Sequence, residues 1–189
     1  FMLVIPGILI ILLMANEYTF KTHRQNVIDG LGRTGFITGK LLLMAGLALG
    51  FTLLVFITAL LFGLFGGTPL SFTNIKYIGL FFVQAISFMS VGLVLVMLVK
   101  RAGIAIGIYF LYAFVVERVL ALVINHQLIA GGGSYLPLRS ADRLIPLPTM
   151  LGKMFDQNPP NPTYMLITAC AWIALMVWFC KRHFEKSDL

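Results

Sequence analysis

The chain has 189 residues, of which 59% are hydrophobic and 11% are charged, and its mean hydropathy is +0.95. Soluble domains are about 45–50% apolar and about 25% charged, so this composition excludes a soluble protein. The net charge of +7 does not indicate nucleic-acid binding, because the basic residues stand beside apolar blocks, where they determine membrane topology.

Five apolar blocks divide the chain, and their continuity predicts an all-α integral membrane protein. The blocks lack the ten-residue alternation of outer-membrane barrels, and within lipid a helix satisfies its backbone groups inside one segment. We therefore expect one transmembrane domain over residues 1–189, a polytopic helical bundle of about five membrane helices. The blocks cover residues 1–14, 41–66, 76–99, 102–124 and 163–180. The first block is shorter than the roughly 20 residues that span a bilayer, so we expect its helix to begin before Phe1.

The distribution of Lys and Arg beside these blocks predicts the orientation in the membrane. The loops on one side hold nine of these residues, and the loops on the other side hold four. The nine are Lys21, Arg24, Arg33, Lys40, Lys100, Arg101, Lys181, Arg182 and Lys186, and the four are Lys76, Arg139, Arg143 and Lys153. Because cytoplasmic loops carry the excess of Lys and Arg, residues 15–40 and the C-terminus are predicted to be cytoplasmic.

Residues 15–40 form a polar segment that is too patterned for a simple connector. Its charged and titratable residues include Glu17, Lys21, His23, Arg24, Asp29 and Arg33. Asp29-Gly30 and Gly32 favour breaks in regular structure. We therefore expect short helices interrupted at these two places.

The stretch 125–162 is punctuated by Gly and Pro, yet it keeps enough Leu and Ile to lie on the membrane surface. We expect a short interfacial helix over Thr149–Phe155, which the prolines at 159, 160 and 162 end. The run Gly131–Ser134 indicates a flexible or locally specialised loop.

Glu117 and Arg118 are the ionisable pair that lies well inside an apolar block. Charged residues there are costly and usually face a bundle interior or a cavity. Two interpretations stay open: a substrate path or gate, or a structural pair in which each side chain has a separate partner. Gln84 and Ser87 lie at helical spacing in the third block and suit either interhelical hydrogen bonds or the lining of a cavity.

Two pairs of glycines have the GxxxG spacing that lets membrane helices approach closely. Gly46 and Gly50 form one pair, and Gly103 and Gly107 form the other. Both pairs indicate helix packing.

The sequence contains no catalytic or metal-binding constellation. His23, His126 and His183 lie in separate loops, without Asp, Glu or Cys at metal-ligand spacing. A Gly-x-Ser-x-Gly elbow and a phosphate-binding loop are also missing. Cys170 and Cys180 are separated by about 15 Å of helical rise, beyond the reach of a disulfide. We therefore expect a chain that is not an enzyme and binds no metal or cofactor.

At residues 15–40 the chain resembles the permease subunits of type-2 ABC exporters, in a Bacteroidetes-like form. The shared pattern is a Glu after a membrane helix, a short helix, a Gly-containing turn, an Arg and a Lys that starts the next helix. These positions are Glu17, Arg24-Gln25-Asn26, Asp29-Gly30-Leu31, Arg33 and Lys40. The order of blocks resembles a six-helix family fold that lacks its first helix here. That family also has short surface or re-entrant helices before its last span, which fits residues 125–162.

The resemblance implies a permease subunit in the bacterial inner membrane that pairs with a second permease subunit, as a homodimer or a heterodimer. Two cytoplasmic ATP-binding subunits would bind ATP and Mg, and the polar segment would dock into them as a coupling helix. An amphipathic helix in a groove uses apolar anchors, with charges at the rim. The implied coupling residues are Glu17, Tyr18, Phe20, Arg24, Asp29, Gly30 and Arg33. A solvated loop with a snorkelling amphipathic helix is the alternative for this segment.

A stand-alone secondary carrier or channel is the alternative function. Its ion or substrate path would include Glu117 and Arg118, together with the polar stripe of Gln84 and Ser87.

Overall fold

The computed structural model describes residues 3–20, 32–66, 74–127, 131–145 and 161–186, and these ranges contain helices and turns but no strand. In chain order the α-helices are α1 (Val4–Thr19), α2 (Gly32–Phe65), α3 (Lys76–Val99), α4 (Ala102–Leu111), α5 (Glu117–Gln127), α6 (Pro137–Asp142) and α7 (Pro162–Lys186). A π-helical turn, Tyr112–Val116, joins α4 to α5, and a 3-10 helix, Gly132–Tyr135, precedes α6.

Four of these helical segments are long and apolar enough to cross a membrane: α2, α3, α4 together with α5, and α7. At 16 residues, α1 is shorter. Backbone groups inside lipid are satisfied within each of these helices, so the architecture fits an all-α membrane bundle. The all-α class and the multi-pass character expected from the composition are confirmed.

The centre of the bundle is α3, which packs against α1, α2, α4, α6 and α7. In its most apolar stretch 61% of the residues are buried, compared with 11% or 17% in the other three long segments. The outer helices therefore turn much of their apolar surface away from the protein, as helices do when lipid surrounds them.

Glycines bring α1 and α3 into close contact. A Cβ atom added to Gly92 would lie 2.8 Å from the carbonyl oxygen of Gly7, and one added to Gly7 would collide with the ring of Tyr109. The Tyr109 hydroxyl is buried and donates to the carbonyl oxygen of Phe88 at 3.4 Å. The tightest crossing in the described bundle thus joins α1, α3 and α4.

The two GxxxG pairs that indicated packing do not contact other helices in the described chain. A Cβ atom added at Gly46, Gly50, Gly103 or Gly107 would meet no heavy atom within 4 Å. The spacing alone could not tell which face of each helix turns inward, because that depends on how the whole bundle assembles.

The ends of several helices differ from the predicted blocks. Helix α1 continues to Thr19, α2 begins at Gly32 instead of residue 41, and α7 runs from Pro162 to Lys186. The predicted limits followed apolarity, but a helix can extend into water beyond the lipid. At 34 residues, α2 is about 51 Å long, whereas the hydrocarbon core is about 30 Å thick.

The two-residue turn predicted at Lys100-Arg101 is present between α3 and α4. Lys100 adopts a left-handed conformation, with φ of 56°, and its backbone N–H donates to Val96 O at 2.8 Å. This bond closes the C-terminus of α3. The turn then leads directly into α4, so these two helices are neighbours and run in opposite directions.

Candidate functional site

The short helix α6 lies inside the bundle. Its Ser140 and Ala141 are fully buried, and it packs against α3 and α7. Its partners on α3, Gln84 and Ser87, follow the start of that helix by about 12–16 Å, at 1.5 Å per residue. The chain therefore enters the bundle and leaves it again between α5 and α7. This position differs from the surface location expected for residues 125–162, because polar groups of the neighbouring helices satisfy the inserted backbone.

The N-terminus of α6 is capped by a side chain from another helix. Leu136 precedes α6 in an extended conformation and provides no capping hydrogen bond. The first N–H groups of a helix have no partner within it. Here the backbone N–H of Arg139 donates to Oε1 of Glu117 at 2.7 Å. Glu117 on α5 thus takes the part that a local Ser, Thr or Asp usually plays.

The C-terminus of α6 is held by a side chain of the central helix. The amide nitrogen of Gln84 donates to the carbonyl oxygens of Ala141 at 2.9 Å and of Asp142 at 3.2 Å. The last carbonyls of a helix lack intrahelical donors, so Gln84 supplies one inside the protein. Gln84 is itself 3% exposed.

A third contact fixes the first residue of α6. The hydroxyl of Ser87 donates to the carbonyl oxygen of Pro137 at 3.3 Å, and the hydroxyl of Ser140 donates to the same oxygen at 3.1 Å. We name the three side chains from the long helices, Gln84, Ser87 and Glu117, the α6 clamp. Three of the four residues suggested for an intramembrane path therefore converge on one short helix.

The fourth residue, Arg118, is not part of the α6 clamp. Successive helical residues point about 100° apart, and Arg118 is exposed whereas Glu117 is 1% exposed. The expectation that the two side chains would not share a partner agrees with this geometry. Oε2 of Glu117 is buried and makes no hydrogen bond within the described residues. A buried polar atom without a hydrogen bond carries a free-energy cost.

The π-helical turn lies directly before Glu117 and was not predicted. The backbone N–H of Glu117 donates to the carbonyl oxygen of Tyr112, five residues earlier. A π turn holds one more residue than an α turn, so it changes the face that α5 presents to the bundle, and such turns are frequent at functional sites. Apolar periodicity alone gives no signal for it.

The glycine run before α6 is packed closely against α5. Gly131 has a φ of +86°, and a Cβ atom at Gly133 would lie 2.5 Å from the carbonyl oxygen of Ala121. The backbone N–H of Gly133 donates to Oδ1 of Asn125 at 2.8 Å, and Arg143 donates to the hydroxyl of Ser134. The local specialisation expected here is thus a close backbone approach. Asn125, a polar residue at the end of an apolar block, was the available signal.

A second polar contact lies at the opposite end of α1. Glu17 and Lys40 form an ion pair between the end of α1 and the first part of α2, with side chains about one-fifth exposed. The Lys40 ammonium also lies 5.1 Å from the ring centre of Phe36, which stacks on Phe184 of α7 at 5.1 Å. Three helices are therefore connected where the polar segment leaves α1 and returns to α2.

The structure describes part of the predicted coupling segment. Tyr18 is half-buried and packs against the core, and Phe20 is 74% exposed. Arg33 lies in the first turn of α2, and its side chain is outside the described residues. Three more coupling residues, Arg24, Asp29 and Gly30, are also outside them, as is the interfacial helix expected over Thr149–Phe155.

The chemistry of the α6 clamp suits positioning. It offers one carboxylate acceptor and two neutral donors, all engaged with backbone groups. Among the described residues no group of three or more His, Cys, Asp or Glu is close enough to hold a metal ion. Cys170 is exposed, Cys180 is buried, and neither forms a disulfide.

Comparison with known proteins gave no match: no family model, curated protein or solved structure is similar to this chain. The candidate site therefore stands on the contacts of the chain itself.

Proposed function

We propose that the chain is the transmembrane permease subunit of an ATP-driven ABC exporter of type 2. The observation that carries the proposal is the polar connection between α1 and α2, whose two ends meet at the ion pair of Glu17 and Lys40. A soluble partner that displaces this connection would move both helices together, because the ion pair and the Phe36–Phe184 stack link α1, α2 and α7.

The polar connection supplies the groups that such a partner would recognise. Phe20, which is 74% exposed, and the neighbouring Tyr18 provide apolar anchors for docking in a groove. Arg24, Asp29 and Arg33 provide charges of both signs that set the register at its rim. The chain has no phosphate-binding loop of its own, so ATP and Mg would be bound by cytoplasmic ATP-binding subunits.

The position of α6 also supports this proposal. The family resemblance implies short helices between the last two spans, on the side away from the ATP-binding subunits. Helix α6 lies between α5 and α7 and returns to the same end of the bundle. The working protein would be a pair of permease subunits in the inner membrane, with the C-terminus of this chain in the cytoplasm.

Charge reversal in the polar connection tests the proposal. The chain is purified from its native membrane, and the ATP hydrolysed by the preparation and the presence of a nucleotide-binding chain are measured. We expect Arg24→Glu and Asp29→Lys each to reduce the bound ATPase by about tenfold, which corresponds to about 1.4 kcal/mol. Membrane insertion should be unchanged, because these residues lie outside the apolar blocks.

Lys76→Glu is the matched control, because it reverses one charge at the opposite end of the bundle, at the start of α3. It should leave the bound ATPase unaffected. Purification of the intact chain without any nucleotide-binding partner and without ATP hydrolysis would overturn the proposal.

A stand-alone carrier or channel is the second candidate, and the buried carboxylate of Glu117 favours it. Proton-driven carriers use such groups. Reconstitution of the purified chain alone in liposomes distinguishes the two functions: ion or substrate flux driven by a proton gradient, without ATP, would establish the carrier.

A further inference from the structure

Helix α6 depends on the α6 clamp for its position. It has six residues and no capping side chain of its own. Isolated helices of fewer than about 12 residues are marginal even in favourable sequences. Its ends are satisfied instead by Glu117 at the N-terminus and Gln84 at the C-terminus. Loss of either contact therefore weakens the attachment of the whole inserted helix.

A carboxylate is an unusual choice for the first of these contacts. A neutral amide or hydroxyl oxygen would accept the Arg139 N–H without burying a charge. The Glu117 side chain is 1% exposed, and its second oxygen makes no hydrogen bond within the described part of the chain. Glu117 differs from a neutral cap in one property: it can bind a proton. Only its ionised form is a charge-assisted acceptor.

The surroundings of Glu117 contain few other groups that titrate. Ionisable side chains on α5, on the elements that pack against it and in the turn after α6 are Tyr112, Arg118, His126, Tyr135, Arg139, Asp142 and Arg143. The α6-facing residues of α3 are the neutral Gln84 and Ser87. Arg139 and Asp142 bring opposite charges toward Glu117 from α6. Of the whole set, His126 and Asp142 are the groups besides Glu117 whose charge can change between mildly acidic and neutral pH.

We propose that Glu117 is a proton-operated latch for α6. The ionised carboxylate holds the Arg139 N–H and keeps α6 between α3 and α7. When the carboxylate takes up a proton, it becomes a weaker acceptor and α6 loosens from the bundle. The inference depends on the contacts of the α6 clamp and holds whether the chain is an exporter subunit or a carrier.

The sign of the pH effect follows from this chemistry. Hydrogen bonds to charged groups contribute about 1.5–3 kcal/mol and neutral ones about 0.5–1.5 kcal/mol. Protonation should therefore make the loosened state at least about fivefold more populated. The buried face of α6 should become more accessible as the pH falls.

The test measures the accessibility of Ser140, which is fully buried on α6. Cys170 and Cys180 are replaced by Ser and Ala, Ser140→Cys is introduced, and the full chain is placed in lipid nanodiscs. Its rate of reaction with a water-soluble maleimide is measured between about pH 8 and about pH 5. The rate is divided by that of Thr163→Cys, an exposed position at the start of α7, which removes the pH dependence of the thiol itself.

We expect the normalised rate to rise at least about fivefold toward the acidic end with Glu117 present, and to be independent of pH with Glu117→Gln. Gln84→Leu should raise the rate at every pH and keep the pH dependence. Because Glu117→Gln retains His126 and Asp142, an equal rise in that variant would assign the effect to them and overturn the proposal. A flat profile in the chain that keeps Glu117 would overturn it without any Glu117 variant.

Discussion

At Gly92 a missing side chain sets the distance between two helices. The backbone of α1 passes so close that a Cβ atom at this position would lie 2.8 Å from the carbonyl oxygen of Gly7. Ile10 and Ile11 of α1 are also within 3.3 Å of that point. Because α3 is the centre of the bundle, a shift at this crossing would be transmitted to the helices that pack on its other faces.

We expect Gly92→Ala to destabilise the protein by about 1–3 kcal/mol, the usual cost of overpacking a close contact. The added methyl group meets backbone atoms, which cannot rotate away as a side chain can. The measurement is the unfolding temperature in detergent, with recovery of the folded chain after purification as a second readout.

Gly79→Ala is the control, because it makes the same change on the same helix where no heavy atom lies within 4 Å. It should leave the unfolding temperature unchanged or raise it slightly, since Ala favours the helix over Gly. Equal destabilisation by both variants would show that helix flexibility, and not the crossing with α1, explains the effect.

The residue scale also shows which side chains a sequence can assign. That Glu117 and Arg118 would point apart follows from helical geometry alone. That Glu117 would meet α6 does not follow, because Arg139 is 22 residues away and the contact is made through its backbone N–H. A backbone donor carries no residue-specific signal, so the α6 clamp could not be read from the residue types it holds.

At the scale of elements, the long apolar helices were predictable and the short inserted one was not. Apolar blocks of about 20 residues identify α3 and α7 because lipid imposes both length and composition. Helix α6 has neither, and its sequence, PLRSAD, is compatible with a surface loop. Its position is a tertiary effect of Gln84, Ser87 and Glu117, which were recognised as buried polar residues without their common partner.

The ion pair of Glu17 and Lys40 links two elements that the chain separates by the polar segment. Both residues were singled out in the sequence as members of a pattern, but the ion pair between them was not predicted. Its partial exposure limits what the charges contribute, because water screens them. Its structural effect is to fix the end of α1 against α2.

We expect Lys40→Glu to lower the stability by about 1 kcal/mol, the upper part of the range for partly exposed pairs, since it places two carboxylates together. The exchanged pair Glu17→Lys with Lys40→Glu should recover part of this loss. Recovery should be incomplete, because Glu at position 40 cannot replace the contact of the ammonium with the Phe36 ring. Unfolding temperatures in detergent measure both effects.

The single variant Glu17→Lys completes this comparison, because it places two ammonium groups together without removing Lys40 from the ring. If the exchanged pair is no more stable than the sum of the two single changes, the ion pair does not couple α1 to α2.

At the scale of the whole molecule, the bundle presents apolar side chains outward around a buried central helix. Phe62 and Phe65 near the end of α2 are 80% and 87% exposed, and Trp178 of α7 is 58% exposed. In water such a surface would promote aggregation. In a bilayer it meets lipid, and the aromatic residues near helix ends suit the membrane interface.

Composition and block order were enough to predict this architecture, because a membrane restricts a chain to a small set of folds. The rotation of each helix about its axis was not predictable, since lipid and protein interiors are both apolar. The GxxxG pairs illustrate this point: Gly46 and Gly50 have the packing motif yet lie on an outer face, whereas Gly7 and Gly92 lack the motif and form the crossing.

The orientation of the bundle gives the last prediction. The end that holds Glu17 and the C-terminal part of α7 carries nine of the Lys and Arg residues assigned to loops, and the α6 end carries four. We therefore expect the Glu17 end to be cytoplasmic. In a cysteine-free background, Thr163→Cys at the α6 end should react with a membrane-impermeant maleimide in spheroplasts, and Phe20→Cys should react only after permeabilisation. Both positions are exposed, so burial cannot explain a lack of reaction. The reverse pattern would place the polar segment outside, where no cytoplasmic ATP-binding subunit could reach it, and would exclude the exporter proposal.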